Sequence, residues 1–280
     1  MKKLAGLAIG CIFFFCSVTA LAAEITEISA GSINDPRIVL EELKVKVNKV
    51  FKNIEDGLAS AAKELATSGL TGPEARKILN NLCQGKAYAV DCVAVNSDGI
   101  MVSIEPEKYK EFEGKDISAQ EHIIRSHKTQ QPAVSNVFLS EEGQQAIDFC
   151  YPVFSDGNKF TGSANVLIAY EKIFAPIIMP IVASGPLDVW IIQKDGLTLY
   201  DPDKDEIGRN VFEDPMYKPF PSYVALCRRI AAEESGFGSY NFLNKGLQDP
   251  VNKDAAWTTI RLHGIEWRMV VVRERKTIGG

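Results

Sequence analysis

The chain has 280 residues, of which 31 are lysine or arginine and 36 are aspartate or glutamate, so its formal net charge is −5. The two signs are interspersed without a basic patch, which excludes the electrostatic surface that nucleic-acid binding needs. With 46% apolar residues, the chain is long enough to fill one large hydrophobic core or two small ones.

The N-terminus has the order of a secretory signal peptide. Lysines at positions 2 and 3 precede an uncharged stretch, residues 4–23, that contains the small-residue run Ala20-Leu21-Ala22. We predict a signal peptide over residues 1–22, cleaved after Ala22 or, as second choice, after Ala23, and a periplasmic or secreted mature protein. Two alternatives stay open: an uncleaved helix that tethers the protein to a membrane, and a lipoprotein anchored at Cys11.

From Asp35 to about Ala66, apolar residues recur at steps of three or four, which predicts one amphipathic helix about 45 Å long. The stripe is either a dimer seam or a face that packs along the protein's own domain. Its members are Leu43, Val47, Val50, Phe51, Ile54, Leu58, Ala61 and Leu65. The capping box Thr71-Gly-Pro-Glu74 predicts a second, short helix that ends at Cys83.

Beyond residue 85 the apolar period changes to two, which indicates β-strands. A hairpin is followed by a helix that Ser118 caps and that ends before Pro132, and then by three strands. Strands are predicted at residues 88–95, 100–104, 133–139, 146–154 and 160–169. The same order recurs later, with strands at 189–193, 197–200, 238–243, 256–263 and 265–272 around a helix at 223–234.

This weak internal repeat predicts an α+β fold, with two PAS-like antiparallel sheet modules in tandem behind a long N-terminal helix. We place a helical segment at residues 35–84, the first module at 85–170, a linker at 171–186 and the second module at 187–275.

Four cysteines lie beyond the predicted signal peptide. An exported protein meets an oxidising compartment, so a disulfide is allowed. Cys83 and Cys92 are nine residues apart and are the favoured pair. Cys150 and Cys227 are interpreted as buried thiols.

Six short motifs occur along the two predicted modules. They are Asn96-Ser-Asp-Gly-Ile100, Gly114-Lys-Asp-Ile117, Pro132-Ala-Val-Ser135, Tyr151-Pro-Val-Phe154, Gln193-Lys-Asp-Gly196 and Glu206-Ile-Gly-Arg209. In this order they resemble the double Cache domains of extracytoplasmic sensors.

The resemblance implies that the first module binds a small molecule, such as an amino acid, an amine or a carboxylate, and that the second relays or supports. It also implies that Ser135, Phe138 and Ser140 contact the ligand. In amino-acid-binding members an Arg-x-Trp-Tyr run lies on the pocket helix, and the matching positions here are Gln120, His122 and Ile123. A standard α-amino acid is therefore disfavoured.

Three residues are predicted from their own patterns to meet the ligand. His122 and Arg125 are three apart on the predicted helix, so they share a face, and the guanidinium would bind a carboxylate. Asp148 is the one charge in an apolar strand and would pair with an amine. The alternatives are that Arg125 points to solvent or pairs with Glu121, and that Asp148 lies on an exposed strand face. His127 is predicted to be exposed.

Chemistry beyond binding is not predicted. The segment Asp201-Pro-Asp-Lys-Asp-Glu206 begins like a calcium loop but has Glu206 where the loop needs glycine, so we interpret it as a solvated turn without a metal. The chain has three histidines and no nucleophile elbow, zinc-protease motif or phosphate loop, so we expect neither an enzyme nor a cofactor.

The sequence therefore predicts an extracytoplasmic sensor that binds a small polar or anionic metabolite in its first module. No output domain is expected in the chain, so the partner would be a separate membrane signalling or transport protein. A homodimer through the N-terminal helix is a further expectation. The alternative is a non-catalytic interaction protein that acts through that helix and has a closed pocket.

Overall fold

The structure, a computed structural model, describes residues 35–244 and 249–275. The predicted signal peptide, its cleavage site and Cys11 lie outside the described residues. Among those that are described, no helix is both long and apolar enough to cross a bilayer.

The long N-terminal helix, α1, spans Pro36–Ser68. Asp35 caps it, because the side chain accepts a hydrogen bond from the backbone N–H of Arg37 at 2.9 Å, and Pro36 occupies the first helical position, where no N–H is needed. Gly69, at φ 82°, ends it. Helix α2 follows at Pro73–Cys83, and its N-cap is Gly72 without a side-chain bond, so the predicted capping box does not form.

The first module is an antiparallel sheet in the order β2-β1-β6-β5-β3, with β4 also paired to β5. Its strands are β1 (Ala89–Asn96), β2 (Met101–Glu105), β3 (Ala133–Val134), β4 (Phe138–Leu139), β5 (Gln145–Ser155) and β6 (Lys159–Ile168). Helix α3, Glu121–Thr129, begins after Gln120 without a side-chain cap, so Ser118 does not cap it as predicted. The strand predicted at 133–139 is interrupted at Ser135, whose hydroxyl and N–H bond to β5 instead.

The second module repeats this order as β8-β7-β11-β10-β9, also antiparallel. It consists of β7 (Leu187–Gln193), β8 (Thr198–Tyr200), helix α5 (Pro221–Ala232), β9 (Gly236–Leu243), β10 (Pro250–Leu262) and β11 (Ile265–Glu274). The segment predicted as a linker forms helix α4, Glu171–Ser184, in spite of Pro176 and Pro180. Burial of Ile173, Phe174 and Ile178 in the core stabilises this helix against the two prolines.

The apolar stripe of α1 is buried against both sheets of the protein itself. Leu43, Val47 and Leu58 are at most 1% exposed. Phe51 contacts Phe149 of β5 with ring centroids 5.7 Å apart and Trp267 of β11 at 5.9 Å. The stripe therefore packs along the protein's own domain, and its apolar surface is not available as a dimer seam or for a partner.

One core unites the modules, because α1, α4 and one face of each sheet share a continuous hydrophobic cluster. The opposite faces carry α3 in the first module and α5 in the second. Cys83 at the end of α2 is bonded to Cys92 in β1, and the free thiols of Cys150 and Cys227 are buried.

Candidate functional site

The first module has a small cavity on the sheet face that is turned away from α1. Its volume is about 30 Å³, on the order of one water molecule's share of the liquid. β1, β5 and β6 form its floor, and Phe138 and the turn after it form its side. The lining is Asp91, Val93, Met101, Ile117, Gln120, Phe138, Ser140, Glu141, Glu142, Asp148, Asn165 and Leu167.

Asp148 lies at the centre of a buried hydrogen-bond network beside this cavity. Strand alternation turns Ile147 and Phe149 towards α1 and Asp148 towards the cavity, as predicted. Its Oδ2 lies 3.0 Å from Nε2 of His122 and accepts a bond from Nδ2 of Asn165 at 2.5 Å. Its backbone N–H donates to Oγ of Ser135 at 2.8 Å. The alternative of an exposed strand face is wrong, because Asp148 is 4% exposed.

The network continues away from the cavity to a second histidine. Oγ of Ser163 donates to Oδ1 of Asn165 at 2.7 Å, and Nε2 of His127 lies 3.2 Å from the same Oγ. The ring of His127 packs edge-on against Phe160, and burial lowers the pKa of its imidazole. His127 is therefore half-buried, and the prediction that it is exposed is wrong, because its ring contacts Ser163 and Phe160 of β6.

Asp91 is a second buried carboxyl group in the cavity wall, and it is incompletely bonded. The residue is 1% exposed, and its Oδ2 accepts no hydrogen bond from any described residue. Burial raises the pKa of Asp91 well above its ordinary value, and both repulsion from Glu142 and Asp148 and a carboxyl–carboxyl hydrogen bond with Glu142 add to the shift. An unpaired acceptor at such a position is costly unless something donates to it.

Arg125 does not reach the cavity. Its guanidinium donates through Nη2 to the carbonyl of Val134 at 2.6 Å and to the carbonyl of His263 at 3.3 Å, and it pairs with Glu121. His263 lies in the hairpin turn between β10 and β11, so Arg125 joins α3 to the second module. Arg125 is therefore not among the residues that line the cavity, and it pairs with Glu121, as in the alternative interpretation.

The remaining predicted contacts are brought together around the cavity. Phe138 lines it and packs against the ring of His122, with centroids 5.4 Å apart. Ser140 lines it with a buried hydroxyl that has no partner among the described residues. Ser135 lies behind Asp148 and holds that strand in place rather than lining the cavity.

Sequence analysis missed five polar residues that line the site, Asp91, Gln120, Glu141, Glu142 and Asn165. Asp91 gives the same signal as Asp148, since it is the one charged residue within β1, whereas Asn165 gives a weaker one because β6 also contains Thr161 and Ser163. Glu142 gives no such signal, because a glutamate in the turn after Ser140 is ordinary for an exposed loop.

The site is acidic. Four of its lining residues carry carboxyl groups, and none of the described lining residues is lysine or arginine. Lys108, which acts on Asp91 from outside the lining, is the one cation that lowers its pKa. Such a wall favours a cationic group and disfavours an anionic ligand, which sequence analysis had allowed.

Comparison with known proteins agrees with this architecture. Residues 49–169 match the family model of the HK/GC/chemotaxis protein-like sensor domain. No match was found among curated proteins.

Solved structures with the same fold are extracellular sensor domains. An extracellular ligand binding receptor from Desulfohalobium retbaense is 33% identical, with a TM-score of 0.72 over 85% of this chain; the chain spans 40% of that receptor. The ligand-binding domain of the Pseudomonas aeruginosa chemoreceptor PctB, solved with L-Arg, is 14% identical, with a TM-score of 0.60 over 85% of this chain and 92% of its own.

The ligand-binding domain of the Campylobacter jejuni chemoreceptor Tlp3, in complex with 4-methylisoleucine, has a TM-score of 0.65 at 15% identity, over 92% of this chain and 98% of its own. The tandem fold predicted from the sequence is thereby confirmed. Residues 49–169, from α1 to the end of the first sheet, are similar to sensor domains of the HK/GC/chemotaxis type, and the fold of the chain is that of tandem Cache-like modules.

Proposed function

We propose that this protein is an extracytoplasmic sensor whose first module binds a small molecule through a primary ammonium group held by Asp91 and Asp148. The observation that carries the proposal is the buried Oδ2 of Asp91, which has no donor among the described residues and lies in a wall without a lysine or arginine. An ammonium group supplies both the missing donors and the opposite charge.

The solved relatives support this chemistry. PctB was solved with L-Arg and with L-Gln, and Tlp3 with 4-methylisoleucine, and all three compounds have an amino group. In this chain no arginine lines the cavity to bind an α-carboxylate, because Arg125 is engaged with the second module. We therefore place amines without an α-carboxylate ahead of α-amino acids as ligands.

The cavity, at about 30 Å³, is too small for a ligand in this conformation, so binding requires a rearrangement. The turn that carries Ser140, Glu141 and Glu142 lines the cavity and connects the short strand β4 to β5. Outward movement of this turn would admit a ligand, and Glu141 and Glu142 would then add negative charge at the entrance. A ligand that binds only the open form shifts the population towards it.

Under the same proposal, the segment between β3 and β4 transmits ligand binding in the first module to the second module. The N–H of Val137 donates to Oε1 of Gln193 in the second module at 2.8 Å, and Arg125 holds the carbonyls of Val134 and His263. Movement of the pocket wall would thus be transmitted to the end of β7 and to the turn between β10 and β11. A separate membrane signalling or transport protein would receive it, at a periplasmic or extracellular location.

Thermal unfolding in the presence of primary amines tests the proposal. Ethanolamine, putrescine and L-arginine are compared with acetate and succinate, which lack an amino group. A bound amine at a hundredfold excess over its Kd adds about 2.7 kcal/mol to the free energy of unfolding. Asp91→Asn and Asp148→Asn should abolish the shift, whereas the matched control Asp156→Asn, at an exposed turn of the same module, should keep it.

Two outcomes contradict the proposal. One is that the acids stabilise the protein and none of the amines does. The other is that an amine stabilises Asp91→Asn and Asp148→Asn as much as the unmodified protein.

A further inference from the structure

The second module contains a larger cavity at the place that corresponds to the first site. Its volume is about 330 Å³, within the range of small-molecule pockets. It lies on the sheet face that carries α5, beside the turn from Asp201 to Glu206. That turn is the segment whose sequence begins like a calcium loop.

Four aromatic residues from three different elements form one wall of this cavity: Trp190 of β7, Tyr223 of α5, and Tyr240 and Phe242 of β9. Their rings fix one another, because Tyr223 stacks on Phe242 with centroids 4.4 Å apart and lies 5.1 Å from Tyr240 and 6.1 Å from Trp190. Aromatic faces held in this way attract cations that are only weakly hydrated.

Carboxyl groups line the same cavity. Asp201 and Glu206 line the cavity, with Asp188 on β7 and Asp203 in the turn. Glu206 is 3% exposed, and its Oε1 has no hydrogen-bond partner among the described residues, although the hydroxyl of Tyr217 donates to the other oxygen. The cavity thus offers negative charge that is only partly satisfied.

Two lysines also line the cavity, and they do not balance the four carboxyl groups. Lys204 is exposed, whereas Lys253 is 7% exposed, and its Nζ lies 5.9 Å from the centroid of Phe242. An ammonium group of the protein itself therefore already lies against this aromatic wall.

We propose that the second module has a ligand site of its own, which takes a small organic cation between the rings of Trp190, Tyr223 and Tyr240 and the carboxylate of Asp201. The preferred ligand differs from that of the first site. There the unpaired Oδ2 of Asp91 requires an N–H donor, whereas here the aromatic wall accepts a quaternary ammonium group that has no N–H.

The ionisation of the second site agrees with the proposal. Desolvation raises the pKa of Asp201 to about 8, helped by repulsion from Glu206 and Asp188, and burial also raises the pKa of Glu206. Burial lowers the pKa of Lys253. A cation favours the ionised form of Asp201, so the affinity for a permanent cation rises with pH up to about 8 and then levels off.

Calorimetric titration with choline, whose charge does not change with pH, tests the site. Its uncharged isostere, with carbon in place of nitrogen, is the matched ligand, and tetramethylammonium and acetylcholine extend the panel. We expect choline to bind to the unmodified protein and to Asp91→Asn alike, so that the result is independent of the first site. The isostere should bind about tenfold more weakly or not at all.

Asp201→Asn is the decisive variant. Asparagine retains the oxygen that accepts the N–H of Asp203, now at 2.8 Å, so the turn keeps its bond while the charge is lost. We expect a loss of about tenfold in choline affinity and of the pH dependence. Asp205→Asn removes an exposed charge from the same turn and should change neither. Tyr240→Leu should weaken binding while leaving the pH dependence in place.

The proposal is overturned by any of three results. None of the three cations binds to the unmodified protein; choline and its isostere bind equally well; or Asp201→Asn binds choline with unchanged affinity.

Discussion

The two modules have equivalent strand orders, yet their cavities differ about tenfold in volume, at 30 and 330 Å³. In the first module the imidazole of His122 contacts Asp148 and packs on Phe138 beside the small cavity. In the second, the rings of Tyr223, Tyr240 and Phe242 pack on one another and line the larger cavity together with the carboxyl groups of the turn. The sheet order positions a pocket, and a few side chains decide whether it is filled.

The largest expected effect tests whether the modules are independent at all. Phe51 lies between Phe149 of the first sheet and Trp267 of the second, so Phe51→Ala removes contacts with both. We expect a loss of about 3–5 kcal/mol in the free energy of unfolding. A single transition that is shifted as a whole is expected in chemical denaturation followed by circular dichroism.

Val45→Ala is the control, because Val45 lies on the same helix and is 66% exposed. It should change stability by less than about 0.5 kcal/mol. Two separated transitions in Phe51→Ala, one of them unshifted, would show that the continuous core does not couple the modules.

Opening the first pocket should make it resemble the second. His122→Ala removes the side chain that contacts Asp148 and leaves Oδ2 of Asp148 with Asn165 as its donor. We expect a loss of about 2–3 kcal/mol from the lost bond and the added cavity. Added imidazole should restore part of that stability in a thermal shift assay. Ile124→Ala, on the exposed side of the same helix, serves as the control and should not respond to imidazole.

One buried carboxyl group in each module makes the stability of that module depend on pH. Asp91 and Asp201 both have a folded-state pKa above the unfolded value of 3.8. At these two groups the folded protein holds more protons than the unfolded chain, so their contribution to stability falls as pH rises. For Asp201 this fall extends from pH 3.8 to about 8.

Asp91→Asn and Asp201→Asn should each make the free energy of unfolding decrease less with pH. Each variant should therefore be more stable than the unmodified protein, by about 1–2 kcal/mol at pH 8. Urea denaturation at pH 5, 6.5 and 8 measures the difference, which should grow with pH. Asp156→Asn is the exposed control. A difference that shrinks as pH rises would contradict the assigned ionisation.

The smallest effect concerns the contact between the modules. Arg125→Lys cannot reproduce the planar set of bonds to the carbonyls of Val134 and His263. We expect a loss of about 1 kcal/mol in stability and no change in the affinity of any ligand of the first module. Lys128→Gln, exposed on the same helix, should affect neither. A strong loss of ligand affinity in Arg125→Lys would restore the carboxylate-binding role that the sequence had suggested.

Much of the fold followed from local pattern. The apolar steps of three and four predicted α1, and the alternation of β5 predicted which face Asp148 takes, because both depend only on the geometry of one element. The same alternation pointed to Asp91 and Asn165, which were overlooked. Helix α4 was missed because two prolines argue against a helix locally, and burial against other elements outweighs them.

Arg125 illustrates the limit of such patterns. Helical spacing places it near the face of His122, but the two side chains point about 60° apart, at 100° per residue. The hairpin turn at His263, 138 residues away, then attracts the guanidinium. The helical period alone does not predict that contact.

The sequence by itself determined the tandem order of elements and the polar residues that interrupt apolar strands, since period and composition are local properties. Only the tertiary structure decided which of those residues lie together. Trp190, Asp201, Tyr223 and Tyr240 are separated along the chain by up to 50 positions, and their cavity exists only where β7, α5 and β9 meet. Whether a pocket is filled or open depends on packing across elements, which local pattern does not record.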